Sequence, residues 1–389
     1  MSPPTVLQIS PFRIPQEPDS GGLIRISEIA QAWKRAGFHL DRCSVVTRQR
    51  DCMTALDLTL PWIDRIRRQH IGNPSNLGPI RQRWASIRSS SMMATLSSRL
   101  TNQIDIIQVE HPWGIRIASD LRSTDRCRKS RIIYSAHNVE HQLYRDIWMQ
   151  AGHWNAAAKR IQRDILSAEQ ECAQTADLIW TVSEHDASIY RDLGAKRVIV
   201  VPNGCRDLPP PQVLPEIPSL PYLLFIGGDY APNIDGFLTW LGDEFKFLPS
   251  DTCLAIAGTA GNRLASNSKI AEAVHRRQLI NFGRTSQKIL DQLVLHAHGI
   301  LVPMGVGGGT NLKTAEALCS KRPILTSPFG IRGYEDWKNA NGVYISDTPE
   351  NFQRSARIIL EQPFVDHCKR DTTKLRWAQI LDNAIADSL

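Results

Sequence analysis

Long apolar runs are missing from this 389-residue sequence: no stretch approaches the roughly 18 consecutive apolar residues that would span a bilayer. The opening, Met1 to Pro11, also lacks the charged and apolar regions of a secretory leader, so the expected location is cytoplasmic. The eight cysteines, at positions 43, 52, 127, 172, 205, 253, 319 and 368, form no Cys-x-x-Cys pair and no Cys/His cluster at zinc spacing. This excludes a zinc module, and free thiols are expected throughout. Asp-x-Asp is absent as well, which removes the usual carboxylate clamp for a divalent metal on a diphosphate. The net charge of +7 comes with no nucleic-acid-binding motif.

What is present is ordinary globular material, 42% hydrophobic and 22% charged, in a length that suits two domains. The whole charge excess lies in the half up to Cys205, and the remainder is balanced. Much of it sits in Pro61 to Leu100, where Arg65, Arg67, Arg68, Arg81, Arg83, Arg88 and Arg99 face one acid, Asp64, and are joined by Trp62 and Trp84. Such a segment suits an anionic membrane surface or an anionic acceptor, and equally a solvated face beside a loop.

Apolar runs of four to seven residues alternate with helix-period segments, the pattern of parallel α/β units. The first series of strands is predicted at Thr5–Ile9, Leu40–Thr47, Ile104–Val109, Arg131–Ser135, Asp177–Val182 and Arg197–Val201. A helix carrying Leu23, Ile26, Ala30 and Trp33 lies between the first two and stops at Gly37. Residues 206–221, with six prolines, read as an interdomain linker, because proline at that density continues neither helix nor central strand. A second series follows at Tyr222–Ile226, Cys253–Ala257, Leu279–Phe282, Gly299–Val302 and Pro323–Thr326. The expected fold class is α/β, two doubly wound Rossmann-like domains, 1–205 and 222–363, with ligands at the carboxyl ends of the strands.

The strongest motif runs from Val302 to Ala317. An apolar strand enters a loop containing Gly307, Gly308 and Gly309, and a helix starts near Thr310. Consecutive glycines let a ligand approach the backbone, and a helix N-terminus offers unpaired N–H groups and partial positive charge to phosphate. Lys313, in the first turn, adds a full charge, and Glu316 offers a carboxylate to sugar or ribose hydroxyls. Taken alone, the two could also be a surface pair at i,i+3.

Val302 to Ser327 resembles the donor segment of family 4 type glycosyltransferases with the GT-B fold, in which a glycine-rich loop, a Lys and a Glu-Ala recur. Asp19-Ser20-Gly21-Gly22 with Arg25 resembles the family's first loop, and Ser135-Ala136-His137-Asn138-Val139-Glu140 its His-Asn-x-Glu segment. Thr181-Val182-Ser183-Glu184, Val200-Val201-Pro202-Asn203-Gly204 and Phe225-Ile226-Gly227-Gly228 with Pro232-Asn233 follow in the family's order. The resemblance spans nearly the whole chain. It implies two facing domains, an acceptor-binding one and then a nucleotide-sugar-binding one, with residues 364–389 crossing back as a helix onto the first.

By the same resemblance His137, Lys313 and Glu316 carry the chemistry. Gly21, Gly22, Gly227, Gly228, Arg284, Gly308, Gly309, Thr310 and Asn311 line the donor. Transfer from a nucleotide sugar to a glycan, glycolipid or other hydroxyl acceptor, with retention and without metal or cofactor, is the implied activity. Asn138 and Glu140 are expected to support or cap rather than react. Two departures stand out. The first glutamate of the family's usual pair is replaced by Gly308, and the Arg and Lys that often follow Gly228 are replaced by Asp229, Asn233 and Asp235. Lys313 is then the main cation on the phosphates unless Arg25 or Arg284 reaches them. A nucleotide-sugar 2-epimerase and a non-catalytic nucleotide-sugar-binding scaffold are the alternatives. The partners expected are the nucleotide sugar, a glycan or lipid-linked acceptor, and an anionic membrane face met by residues 61–100; no nucleic acid is expected.

Overall fold

The computed structural model describes residues 3–16, 18, 20–46, 48–59, 90–305, 310–365 and 368–389. The chain divides into two compact units, Met1–Pro202 together with Ala378–Leu389, and Asn203–Trp377. Most of the Arg-rich segment, with Trp62 and Trp84, lies outside the described residues. Arg99 is described, and it donates to the Ala55 and Asp57 carbonyls.

In the first unit β1 (Thr5–Ser10), β2 (His39–Val46), β3 (Leu58–Thr59), β4 (Ile106–Glu110), β5 (Arg131–Ser135), β6 (Leu178–Thr181) and β7 (Val198–Val200) form one parallel sheet, ordered β3-β2-β1-β4-β5-β6-β7. β1 and β4 are buried along their whole length, as central strands covered on both faces are, and they carry the buried polar groups Gln8, Gln108 and Glu110 among their apolar residues. The described helices are α1 (Gly21–Arg35), α2 (Ser90–Arg99), α3 (Ile115–Leu121), α4 (Glu140–Gln150), α5 (Ala156–Thr175) and α6 (Glu184–Asp192). α1 buries Ile26, Ile29, Ala30 and Trp33 on one face, and the chain leaves it through Gly37 at φ 86°.

The second unit repeats the scheme. Its elements are β8 (Tyr222–Ile226), α7 (Ala231–Leu241), β9 (Cys253–Ala257), α8 (Ala260–Leu264), α9 (Ser268–His275), β10 (Leu279–Gly283), α10 (Gln287–His296), β11 (Gly299–Val302), α11 (Leu312–Cys319), β12 (Ile324–Thr326), β13 (Val343–Ile345) and α12 (Pro349–Glu361). Its sheet is parallel, ordered β10-β9-β8-β11-β12-β13. The short edge strands β3 and β13 are additions to the sequence reading, since two or three residues carry no recognisable period.

Three expectations change. Cys205 and Cys319 are not free thiols; they form a disulfide across 114 residues of sequence, with Cα atoms 6.4 Å apart. Both lie within one apolar cluster of the second unit, a proximity that sequence spacing does not reveal. The proline-rich 206–221 stretch is not a detached linker but part of the second unit. Gln212 N donates to Gln292 Oε1 at 2.6 Å, Gln292 Nε2 donates to the Pro210 carbonyl at 3.3 Å, and Leu208 and Ile217 pack against the core.

The closing segment is also divided. Residues up to Trp377 belong to the second unit, where Arg370 binds the Leu318, Asn341 and Arg322 carbonyls. From Ala378 the helix α13 (Trp377–Ser388) belongs to the first unit, buried through Leu381 and Ile385. There Trp180 Nε1 donates to Ser388 Oγ at 3.1 Å, and Arg35 pairs with Asp382 at 3.1 Å.

Candidate active site

Each sheet reverses its strand order once, between β1 and β4 in the first unit and between β8 and β11 in the second. Loops leaving the carboxyl ends of such a strand pair turn to opposite faces and leave a crevice, where ligands of open α/β sheets bind. The motif residues gather at these two points.

In the first unit β1 leads to Ser20, Gly21 and Gly22 at the start of α1, where Ser20 makes no side-chain cap. β4 ends at Glu110, and His111 follows at φ 61°, ψ 160°. That backbone region is nearly restricted to glycine and costs roughly 1–3 kcal/mol for another residue. The surroundings hold His111 there. Its Nδ1 lies 2.9 Å from Glu140 Oε1, its ring stacks on His137 with centroids 4.0 Å apart, and Phe12 meets its edge. His137, two residues beyond β5, sets its Nε2 2.9 Å from Glu110 Oε2.

Glu110 is fully buried and also accepts from Gln8 Nε2 at 2.8 Å. Burial raises its carboxyl above the usual range, while the Gln8 amide and the charge of Arg25 oppose the rise. Burial likewise drives His137 well below its ordinary range, helped by His111 and Arg25. A side chain at position 22 would place its Cβ 3.8 Å from His137 Nδ1 and 3.9 Å from His111 Nε2, so both rings turn that nitrogen toward the glycine turn. Arg25 is buried and donates to the Pro202 carbonyl at 3.3 Å.

Behind these groups, Glu169 of α5 anchors the start of α4. It accepts from the Glu140 main-chain N–H at 2.6 Å, from the His141 N–H at 3.2 Å and from the Tyr190 hydroxyl at 3.0 Å, and it meets His141 Nδ1 at 2.6 Å. Glu140 is thereby set in place to reach His111.

In the second unit α11 begins at Leu312, two residues later than expected, with the Asn311 side chain capping it by accepting from Lys313 N at 3.2 Å. Asn203 of the Pro-Asn-Gly segment donates Nδ2 to Thr310 O and Oγ1, both at 3.0 Å, and its own carbonyl accepts from Tyr334. Gly204 is required for close approach, because a Cβ there would lie 2.9 Å from Trp377 Cδ2 and 3.0 Å from the Leu375 carbonyl oxygen.

Lys313 Nζ donates to Asn233 Oδ1 at 2.5 Å and lies 5.3 Å from the centre of the Phe225 ring. Asn233 Nδ2 in turn donates to the Gly228 carbonyl at 2.9 Å, which ties the ammonium to the Gly227-Gly228 loop. Burial draws Lys313 down from 10.5 to about 8, with Glu316 opposing. It lifts Glu316 from 4.5 to about 7 against the pull of Arg206 and Lys313. Arg206 is paired with the buried Asp291, which Gln287 also binds.

Thus Gly227, Gly228, Thr310, Asn311, Lys313 and Glu316 gather at the second unit's crevice, and Gly21, Gly22 and His137 at the first unit's. Arg284 is exposed after Gly283 at the end of β10. Gly308 and Gly309 lie outside the described residues. Two groups were missed by sequence reasoning. His111 had a signal, since it follows β4 just as His137 follows β5. Arg263 had none: it comes from α8 to Asp229 Oδ1 at 3.1 Å, bringing a guanidinium to the Gly227-Gly228 loop across 34 positions. Among the described residues no group of three or more His, Cys, Asp and Glu is placed to hold a metal ion, and no helix is long and apolar enough to cross a membrane.

No curated protein sequence matches the chain. Solved structures share its fold over nearly the full length. The sucrose-phosphate synthase of Thermosynechococcus elongatus matches with TM-score 0.68 at 14% identity, over 99% of this chain and 98% of that one. The α,α-trehalose 6-phosphate synthase of Burkholderia multivorans gives 0.60 at 13% identity, over 100% and 98%. HepE of Anabaena, in complex with UDP and glucose, gives 0.56 at 14% identity, over 99% and 94%. Residues 20–206, which take in α1, both histidines and the Pro-Asn-Gly segment, match the profile of Glycosyltransferase Family 4. Over its first unit the chain is thus similar to that family, and its two parallel sheets share the fold of these solved structures.

Proposed function

We propose that this protein is a glycosyltransferase of the family 4 type, which takes its sugar from a nucleoside diphosphate sugar and passes it to a hydroxyl of a glycan or lipid-linked acceptor, with retention of configuration and without a divalent metal. The observation that carries the reading is the Lys313 ammonium, held at 2.5 Å by Asn233 beside the capped first turn of α11. Departure of a nucleoside diphosphate builds negative charge on its β-phosphate. Preorganised N–H dipoles and a fixed cation placed there lower the barrier without reorganising.

Glu316, on the same face one turn on, takes ribose or sugar hydroxyls. Gly21, Gly22, His111 and His137 take the hydroxyl-bearing part of a substrate in the first unit. Glu110 and Glu140 each hold a histidine, which leaves neither as a ready nucleophile and favours same-face attack over a covalent intermediate. UDP is the first base to test, because HepE binds UDP and glucose. The Arg-rich 61–100 segment supports an anionic, membrane-borne acceptor on the cytoplasmic face.

The test is a thermal-shift panel of nucleotide sugars and nucleoside diphosphates with and without chelator. A ligand at 100 times its Kd stabilises by roughly 2.7 kcal/mol, which melting resolves. A shift confined to one base and indifferent to chelator is expected; no shift with any nucleotide overturns the reading.

A further inference from the structure

The two histidines of the first unit are held by crossed carboxylates. Glu110, the residue before His111, binds His137, and Glu140, three residues after His137, binds His111. Each loop therefore orients the imidazole of the other. The hydrogen-bond chain behind Glu110 gives this a direction. Arg42 Nε donates to Gln8 Oε1 at 3.2 Å, so the Gln8 amide turns its Nε2 to Glu110 Oε1 and to the Ile26 carbonyl.

Glu110 is thus an acceptor on the Gln8 side, and its second oxygen, as a carboxylate, accepts from His137 Nε2–H. On the other ring, Glu140 Oε1 accepts from Asn138 Nδ2 at 3.3 Å and from His111 Nδ1–H. A neutral imidazole that donates from one nitrogen carries a lone pair on the other. The lone pairs fall on His137 Nδ1 and His111 Nε2, the two atoms turned toward Gly22. His111 is 7% exposed, and its Nε2 has no hydrogen-bond partner among the described residues. A strained backbone holds that unpaired acceptor at the opening turn of α1.

Stacked rings cannot satisfy one another, so both nitrogens need an external donor. An anion supplies none and meets two lone pairs. A pair of neighbouring hydroxyls supplies both hydrogens, and their oxygens can accept from the N–H groups of α1. We propose that Glu110 and Glu140 are positioning residues that set the tautomers of His137 and His111, making the two rings a paired acceptor that reads vicinal hydroxyls of the sugar taken at this site. The choice of a sugar rests on the transfer reading above; the tautomers do not.

The test uses the full chain with 15N-labelled histidine, ligand-free at neutral pH, and long-range 1H–15N correlation assigned with His111→Gln and His137→Gln. His137 protonated on Nε2 and His111 on Nδ1 is the expected result. In Glu110→Gln, Gln8 directs the new amide so that its NH2 faces His137, which must move its proton to Nδ1 while His111 keeps its tautomer. The same variant is expected to lose affinity for UDP-glucose about tenfold more than for UDP, the loss of one hydrogen bond to the sugar. An imidazolium, the opposite tautomer in the wild type, or a Glu110→Gln variant whose His137 tautomer does not move overturns the proposal. Equal loss for UDP and UDP-glucose overturns its specificity half. A chain that binds no nucleotide fails the transfer reading instead, since the spectra are recorded without ligand.

Discussion

Lys313→Met should make the protein more stable and far less active, and both effects follow from the ammonium's surroundings. Burial lowers its pKa from 10.5 to about 8, a depression worth on the order of 3 kcal/mol. Partial exposure to solvent trims this, and loss of the Asn233 hydrogen bond takes back about 1 kcal/mol. A net gain of about 1–2 kcal/mol remains, or roughly 2–8 °C in Tm for a domain of this size. Because the folded pKa lies below the unfolded one, the wild type bears the full penalty below pH 8 and sheds it as pH rises to about 10.5. The advantage of the methionine variant should therefore be complete at about pH 7 and vanish near pH 10.5. Turnover should fall about a hundred- to a thousandfold, the cost of losing one preorganised charge-stabilising group, about 2.7–4 kcal/mol. Melting curves at several pH values and release of nucleoside diphosphate from the best donor measure the two effects. Turnover within threefold of wild type, or a variant that melts lower by a pH-independent margin, is incompatible with this account.

Glu316→Gln has the opposite pH signature. With a folded pKa of about 7 against 4.5 unfolded, the wild type loses stability as pH rises between those values, so the variant should melt higher at about pH 8, with the gap closing toward pH 4.5. Denaturing thiol titration without reductant should find six reactive cysteines and, after reduction, eight; eight at the outset would remove the Cys205–Cys319 bond. Reduction, or replacement of both residues by serine, should destabilise by about 2–5 kcal/mol, as expected for a bond closing so long a loop, read as a Tm lowered to the same value in each case. Gly204→Ala should cost about 1–3 kcal/mol, because its Cβ would meet Trp377 and the Leu375 carbonyl at 2.9–3.0 Å; a melting curve unchanged from wild type would contradict that crowding.

Local pattern alone dictates the two-fold α/β organisation, because buried parallel strands must be continuous apolar runs and helices must repeat near 3.6 residues. β8 was legible for that reason, and β1 and β4 as mostly apolar runs interrupted by Gln8 and Gln108. Lys313, Glu316 and Asn311 were legible too, as they follow one another closely after a glycine-rich loop, where local chemistry suffices. Which distant groups meet is a matter of tertiary packing. Glu110 and His137 come together because β4 and β5 are neighbours in the sheet, and Asn233 reaches Lys313 across 80 positions. Cys205 meets Cys319 because the end of α11 packs on the segment that follows Asn203. Spacing encodes the local period, whereas partnerships of this kind depend on strand order and on burial that forces each polar group to find whatever partner the fold has brought near.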